Sequence, residues 1–246
     1  MQRHHEALAA AREHAAVPNG GWKPEPETGE TTVSIQDYLA RRWEEVLQLT
    51  IEHVLAVALS VILATAIGLI LGSLVYRNEK ATSVLLNSSS TLFTIPALSY
   101  FGFMVPLIGL GWLSTIIVLT IYATLPIVRN TVTGLQEVDP AIVKSAVGMG
   151  MNRFERLWRI EMPLAWPVII TGIRVATVMT VGIAAIAAYV AGPGLGAEIF
   201  GGLSAIGSTR AVAQAMTGTV AVIVVALGLD GLLLGVSRLT TSKGLR

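Results

Sequence analysis

Residues 54–75 read VLAVALSVILATAIGLILGSLV, and they decide the fold. No charged side chain interrupts them, and about 20 apolar residues suffice for a helix to cross the hydrocarbon core of a bilayer. Val54–Val75 is therefore a membrane span, closed by Arg77 and Lys80. Moving outward, the same grammar recurs. A second uncharged segment covers 81–110; its first half is polar (Asn87, Ser88, Ser89, Ser90, Thr91, Thr94), and Pro96 and Pro106 interrupt it. A third runs over 113–128. The charged stretch 129–161 breaks the pattern, a fourth segment covers 164–191, a Gly-rich connection follows over 192–208, and a fifth covers 212–236 before Arg238, Lys243 and Arg246. The expected fold is all-α: a polytopic membrane helix bundle of five core transmembrane helices over 50–240.

Composition agrees. Only 13% of the 246 residues are charged, against about 25% in a soluble domain. The net charge of +1 leaves no basic footprint for nucleic acid. There is no cysteine, and the four histidines offer no ligand spacing beyond His4-His5, so no metal site is expected. Residues 1–33, rich in Pro, Gly, Glu and Thr toward their end, read as a flexible tail and linker, and 241–246 as a C-terminal tail. Ser34 with Asp37 three residues on is a capping signal. It opens an amphipathic helix over 34–49 that carries Tyr38 and Trp43, suited either to the membrane interface or to packing on the bundle.

Charge orients the spans. With 129–161 in the cytoplasm, that side collects Arg77, Lys80, Arg129, Lys144, Arg153, Arg156, Arg159 and the C-terminal basic residues, while the opposite loops keep Arg210. This satisfies the positive-inside rule. Five spans then place the N-terminus outside and the C-terminus in the cytoplasm; Arg41 and Arg42 are the one feature that resists this.

The loop over 137–163 has its own punctuation. Asp139 caps a helix that has Pro140 at its first position, where a missing N–H is harmless. The helix stops at Gly150. Asn152 caps a second helix with Glu155 to close the box, and that helix is expected to end at Pro163, before the fourth span. Met149, Met151, Phe154 and Leu157 are apolar yet belong to no span, and exposed apolar residues on such a loop suggest a docking surface.

Here the chain resembles the permeases of bacterial ABC importers. Their cytoplasmic loop follows the pattern Glu-Ala-Ala, three residues, Gly, nine residues, Ile, one residue, Leu-Pro. This chain has Lys144-Ser145-Ala146, then Gly150, Ile160, Met162 and Pro163. Ala146, Gly150, Ile160 and Pro163 match; Lys144, Ser145 and Met162 depart, so no role carries over for the acidic side chain. The stretches TIPALSYFGFMVPLIGLG (94–111), LPIVRNTVTGL (125–135) and GIRVATVMTVGIAAIAAYVAGPGLG (172–196) are similar to the osmoprotectant branch, which imports glycine betaine, choline or carnitine. The resemblance covers about 50–240. It implies a coupling helix formed by Lys144, Ser145, Ala146, Met149, Gly150, Met151, Phe154, Ile160 and Pro163. It also implies cytoplasmic ATPase subunits that bind the ATP and magnesium, a second permease chain, an extracytoplasmic substrate-binding protein, and a place in the bacterial inner membrane.

No Walker-type glycine loop occurs, and no nucleophile–base or paired-carboxylate constellation is visible, so the chain itself is expected to be no enzyme. Gly192-Pro193-Gly194-Leu195-Gly196 reads either as a re-entrant turn or as an outer gate at Gly194 and Gly196. On the second span Asn87, Ser90 and Thr94 share a face. They either line a wet path or serve helix packing. Tyr100, Tyr122 and Tyr189 are candidates for cation–π contact with a quaternary amine, or packing residues. Arg174 and Asp230, of opposite sign and comparable depth, are expected to form a buried ion pair, since a lone charge at mid-membrane is costly; the alternative is that each reaches headgroups or water. The competing functions are a permease for another amino-acid-like cargo and a secondary transporter, although no internal repeat of the kind such proteins show is visible.

Overall fold

The computed structural model describes residues 33–240; apart from Val33, the tails expected over 1–33 and 241–246 lie outside them. Helix α1, Ile35–Val75, begins where the capping signal lies. Ser34 Oγ accepts from the Asp37 amide at 3.1 Å and donates to its carboxylate at 2.7 Å. The expected separate helix over 34–49 is absorbed into this one element. No cap or proline divides it from the span, and Gln48 bonds Glu52 across the expected boundary at 3.0 Å. The joint lies instead at Arg42, where φ −128° and ψ 18° leave the helical range.

Within α1 a seam of small residues, Ala56, Ser60, Ala64, Gly68 and Gly72, recurs every fourth position and is wholly buried. It faces α4, Trp112–Gln136. A methyl group added at Gly68 would lie 2.6 Å from Ile127, and one at Gly72 2.6 Å from Thr131. Small residues at this spacing let membrane helices approach to backbone distance.

The second segment is two helices, α2 (Glu79–Thr94) and α3 (Ala97–Ile108), meeting at 89°. Pro96 makes the break, because it cannot donate to the helical ladder and holds Ile95 extended. Pro106, expected to interrupt as well, sits inside α3 without ending it. Among the described residues, four helices are long and apolar enough to cross a membrane, and the bent pair brings the number to five if it counts as one span.

The loop helices are α5 (Pro140–Gly148) and α6 (Arg153–Arg156). The second does not end at Pro163. It passes through a π-helical turn, Leu157–Glu161, into α7, Met162–Ile186. In that turn the Met162 amide reaches back five residues to the Leu157 carbonyl, and the widened turn carries the chain through Pro163 in the first turn of α7. A 3₁₀ turn over Ala187–Val190 ends the span. The Gly-rich connection contains a helix, α8, Gly196–Ser204, and α9 follows as Ala211–Thr240.

Helices α1 and α7 are central: each packs on the other, on α4 and on α9. Val57, Val61, Leu119, Ala123, Ile127, Ile169 and Ile173 form the core between them. One end of the bundle, the loop end, carries α5 and α6; α8 and the start of α1 lie at the far end.

Candidate functional site

The loop is rigid by construction. Asp139 accepts from the Ala141 amide at 2.7 Å, with Pro140 in the first turn of α5. At the other end of α5, Gly150 takes φ +83°, its amide bonds the Val147 carbonyl at 2.9 Å, and the Met151 amide bonds the Ala146 carbonyl at 3.1 Å. These two bonds and the left-handed glycine make a Schellman stop. Nothing crowds Gly150, so its glycine answers to backbone conformation alone. Asn152 and Glu155 then form the full capping box.

Ala146 is buried, while Met149 (68% exposed), Phe154 (71%) and Trp158 (51%) stand open, with Val147 beside them. Phe154 and Trp158 pack ring against ring at 6.1 Å. Lys144, Ser145, Arg153 and Arg159 are exposed around this patch; Met151 and Ile160 are half-buried and Pro163 is exposed. The loop therefore presents a compact apolar surface with a basic rim.

A buried carboxylate fastens the loop to the bundle. Glu161, 1% exposed, lies in the π-helical turn. It accepts from Arg156 Nε at 2.8 Å, from Arg77 at 2.6 Å and from the Tyr76 hydroxyl. Burial, and then the bond to the carboxylate, push the Tyr76 hydroxyl up to about 12. Gln136, the last residue of α4, donates to the Tyr76 carbonyl at 2.9 Å. The ends of α1 and α4 thus meet the start of α7 at one polar knot.

Residues 64–241 match the family described as binding-protein-dependent transport system inner membrane component. The chain belongs to this family. It is 38% identical over 80% of its length to the osmoprotectant import permease protein OsmW of Salmonella typhimurium, covering 93% of that protein. It is 33% identical over 86% of its length to the glycine betaine/carnitine/choline transport system permease protein OpuCB of Bacillus subtilis, covering 96% of it. A solved structure of the MetNI methionine ABC transporter in an inward-facing conformation has the same fold, with TM-score 0.69 at 21% identity over 80% of this chain and 96% of that one.

For a transport membrane component, the residues inside the bundle carry the next question. Arg174 and Asp230 are joined as expected by charge and depth, Nε to Oδ1 and a terminal nitrogen to Oδ2, both at 2.9 Å. They are not buried: the side chains keep 28% and 33% of their exposure, because α7 and α9 bring them together at the surface of the chain. On α2, Asn87 and Thr94 are exposed and Ser90 is half-buried, with an Arg129 nitrogen 3.4 Å from its hydroxyl. Among the described residues, nothing covers Asn87 and Thr94 on this helix, while Ser89 and Ser90 are half-buried.

At two places where the sequence left a choice, the structure shows packing. Tyr100 and Tyr122 line no open surface. Both are buried beside the Pro96 break: the Tyr122 hydroxyl donates to the Ile95 carbonyl, and the Tyr100 hydroxyl donates to the Leu92 carbonyl, which also accepts from the Ile95 amide. Tyr189 is exposed and rests against Phe200, ring centroids 4.2 Å apart. Gly194 and Gly196 are buried too. Gly194 has φ +105°, and a Cβ there would fall 2.7 Å from His53, while one at Gly196 would fall 2.0 Å from the Ala185 carbonyl. These glycines clamp the turn onto α1 and α7.

Three features escaped sequence reasoning: Glu161, Trp158 and a second buried carboxylate. Glu198 on α8 is 2% exposed and accepts from the Tyr38 hydroxyl at 2.6 Å. An acidic residue inside a Gly-rich apolar stretch was its available signal.

Proposed function

We propose that this chain is one of two permeases in an ATP-driven importer for small quaternary-ammonium or zwitterionic osmolytes of the glycine betaine, choline and carnitine kind. The observation that carries the reading is the loop: a rigid helix pair presenting Met149, Phe154 and Trp158, held to the span ends by Glu161. An exposed aromatic pair with a basic rim suits insertion into an acidic-rimmed groove of a separate ATPase subunit. In this reading Lys144 and Ser145 lie on the exposed side of α5 beside the groove, and Ala146, Gly150, Ile160 and Pro163 shape the loop. ATP and magnesium belong to that partner. The loop faces the cytoplasm, the N-terminus lies outside, and a substrate-binding protein delivers cargo at the far end. The cargo class is supported by the relatives' names, and the two-permease arrangement by the size of the chain: five crossings are too few to enclose a wet channel and still face lipid, and closed symmetric pairing is the commonest remedy.

The test is a cysteine scan of the loop in the assembled complex. Met149→Cys and Phe154→Cys should crosslink to the ATPase, and Phe154→Ala should weaken docking by about 2 kcal/mol, roughly thirtyfold. Gly150→Val should separate ATP hydrolysis from uptake, since a β-branched residue resists a left-handed turn. Labelling of Met149→Cys only from outside the cell would overturn both topology and function.

A further inference from the structure

We propose that the open face shared by α7 and α9, centred on Arg174 and Asp230, is a wall of the aqueous path and a transit site for small zwitterions; the zwitterion rests on the cargo reading above. Depth comes first. Arg174 lies thirteen residues beyond Glu161 along α7, roughly 20 Å at the helical rise, and so falls well inside a hydrocarbon core of about 30 Å. At that depth a charged pair that keeps about a third of its exposure is strongly disfavoured against lipid tails. The chain shows what a lipid-facing surface looks like elsewhere: the outward positions of α1 are Leu55, Leu59, Ile62, Leu63, Ile70 and Leu74, with no charge among them. On the α7–α9 face the Arg174–Asp230 pair breaks that pattern amid apolar neighbours, which favours water or a polar partner over lipid at that point.

Its shape points to water and solute. Arg174, Asp230 and Thr171 line a concavity of about 370 Å³, and Val175, Val178 and Met179 complete it. That is room for several waters, each taking about 30 Å³ in the liquid, or for one small solute. The ion pair engages two guanidinium nitrogens and both carboxylate oxygens. Arginine has five N–H donors and each carboxylate oxygen a second lone pair, so the pair still offers a positive and a negative end side by side. A solute carboxylate fits the free guanidinium N–H groups, and an adjacent ammonium fits Asp230 without breaking the pair. A quaternary ammonium has no N–H to satisfy, and the apolar side chains of Val175, Val178 and Met179 receive its methyl groups. Weak, paired charges suit a site that a solute must also leave.

The chain has no cysteine, so single cysteines on it report without background. In vesicles holding the assembled complex, Val178→Cys is compared with Ile62→Cys on α1, using a membrane-impermeant methanethiosulfonate that bears a trimethylammonium group and reading its mass on this chain. Val178→Cys should label at least about tenfold faster, and excess glycine betaine should slow that labelling about tenfold, the equivalent of one well-made contact. The double exchange Arg174→Asp with Asp230→Arg keeps the charges matched but reverses their direction; labelling should persist and glycine betaine protection should be lost. Labelling no faster than at Ile62 would overturn the proposal by placing lipid there. An unreactive Val178→Cys that forms a disulfide with its copy in a second chain would overturn it by placing a protein contact there. Fast labelling without protection, in vesicles that do take up glycine betaine, would overturn the zwitterion site. Vesicles that take up no glycine betaine would count against the cargo reading, and the labelling ratio would still judge the wall.

Discussion

Glu161 and Glu198 are both buried carboxylates, at opposite ends of the bundle, and their company differs. Glu161 meets the guanidinium groups of Arg156 and Arg77 and the Tyr76 hydroxyl. Glu198 meets the Tyr38 hydroxyl, and among the described residues no ion pair reaches it. Around Glu198 the helices close by backbone approach: a Cβ on Gly218 would lie 2.8 Å from the Glu198 Cβ, and one on Gly202 2.5 Å from the Ala215 amide. The loop end is thus tied by charge, the far end by small residues and one neutral donor. An ion-paired joint holds three elements in a fixed relation while allowing the exposed loop beyond it to bear load. A glycine-packed joint has no spare room to move. The charged end is stiff beneath an open surface, and the glycine-packed end is closed on itself.

The largest effect should come from breaking the charged joint. Glu161→Ala leaves Arg156, 7% exposed, without its partner, and stranding one member of a buried pair costs about 3–5 kcal/mol. Arg77→Ala should cost far less, about 1 kcal/mol or under, because 40% of that side chain is open to solvent. Thermal unfolding of the purified chain in detergent checks the order. Equal losses for the two variants would mean that Glu161 is not the centre of the knot.

A smaller loss is expected at the far end. Tyr38→Phe removes the donor to Glu198 and leaves a buried acceptor without its partner, at about 1–3 kcal/mol. Glu198→Gln should be milder, since the amide oxygen accepts the same bond. If Tyr38→Phe costs as much as Glu161→Ala, the two ends are fastened alike and the contrast fails.

How much of this was legible in the sequence follows from distance along the chain. The caps at Ser34, Asp139 and Asn152 and the stop at Gly150 use partners two to five residues away, so spacing alone exposes them. Arg174 and Asp230 are far apart in sequence, yet two isolated charges in otherwise uncharged spans have few partners to choose from. Their exposure was not legible, because it depends on where α7 and α9 leave a groove. Glu161 stayed hidden: its Tyr76 and Arg77 partners lie more than eighty residues upstream, and in sequence it reads as one acid in a basic stretch. The fourfold seam Ala56, Ser60, Ala64, Gly68, Gly72 was in plain view, but uniform hydrophobicity marks a span without saying which face meets protein. For Tyr100 and Tyr122 the sequence left ligand contact and packing both open, because only the folded chain brings the Leu92 and Ile95 carbonyls to their hydroxyls.

The smallest effects sharpen the contrast through coupling. Asn152 and Ser34 cap helices at opposite ends, and replacing either with alanine should cost about 1 kcal/mol, seen as roughly fivefold faster exchange of the amides they hold, Glu155 and Asp37. The Asn152 cap and the Glu161 knot share α6: the Arg156 amide bonds the Asn152 carbonyl at 3.0 Å while the Arg156 side chain holds Glu161. Loss of the cap therefore loosens the arm that reaches the carboxylate. Asn152→Ala combined with Glu161→Gln should depart from additivity by more than about 0.5 kcal/mol, as residues in one network do, whereas Ser34→Ala combined with Glu161→Gln should add. Additivity in both pairs would mean that the loop helix and the knot respond independently. The loop end would then be two separate fastenings, and a push on Phe154 would have no stiff route into α7.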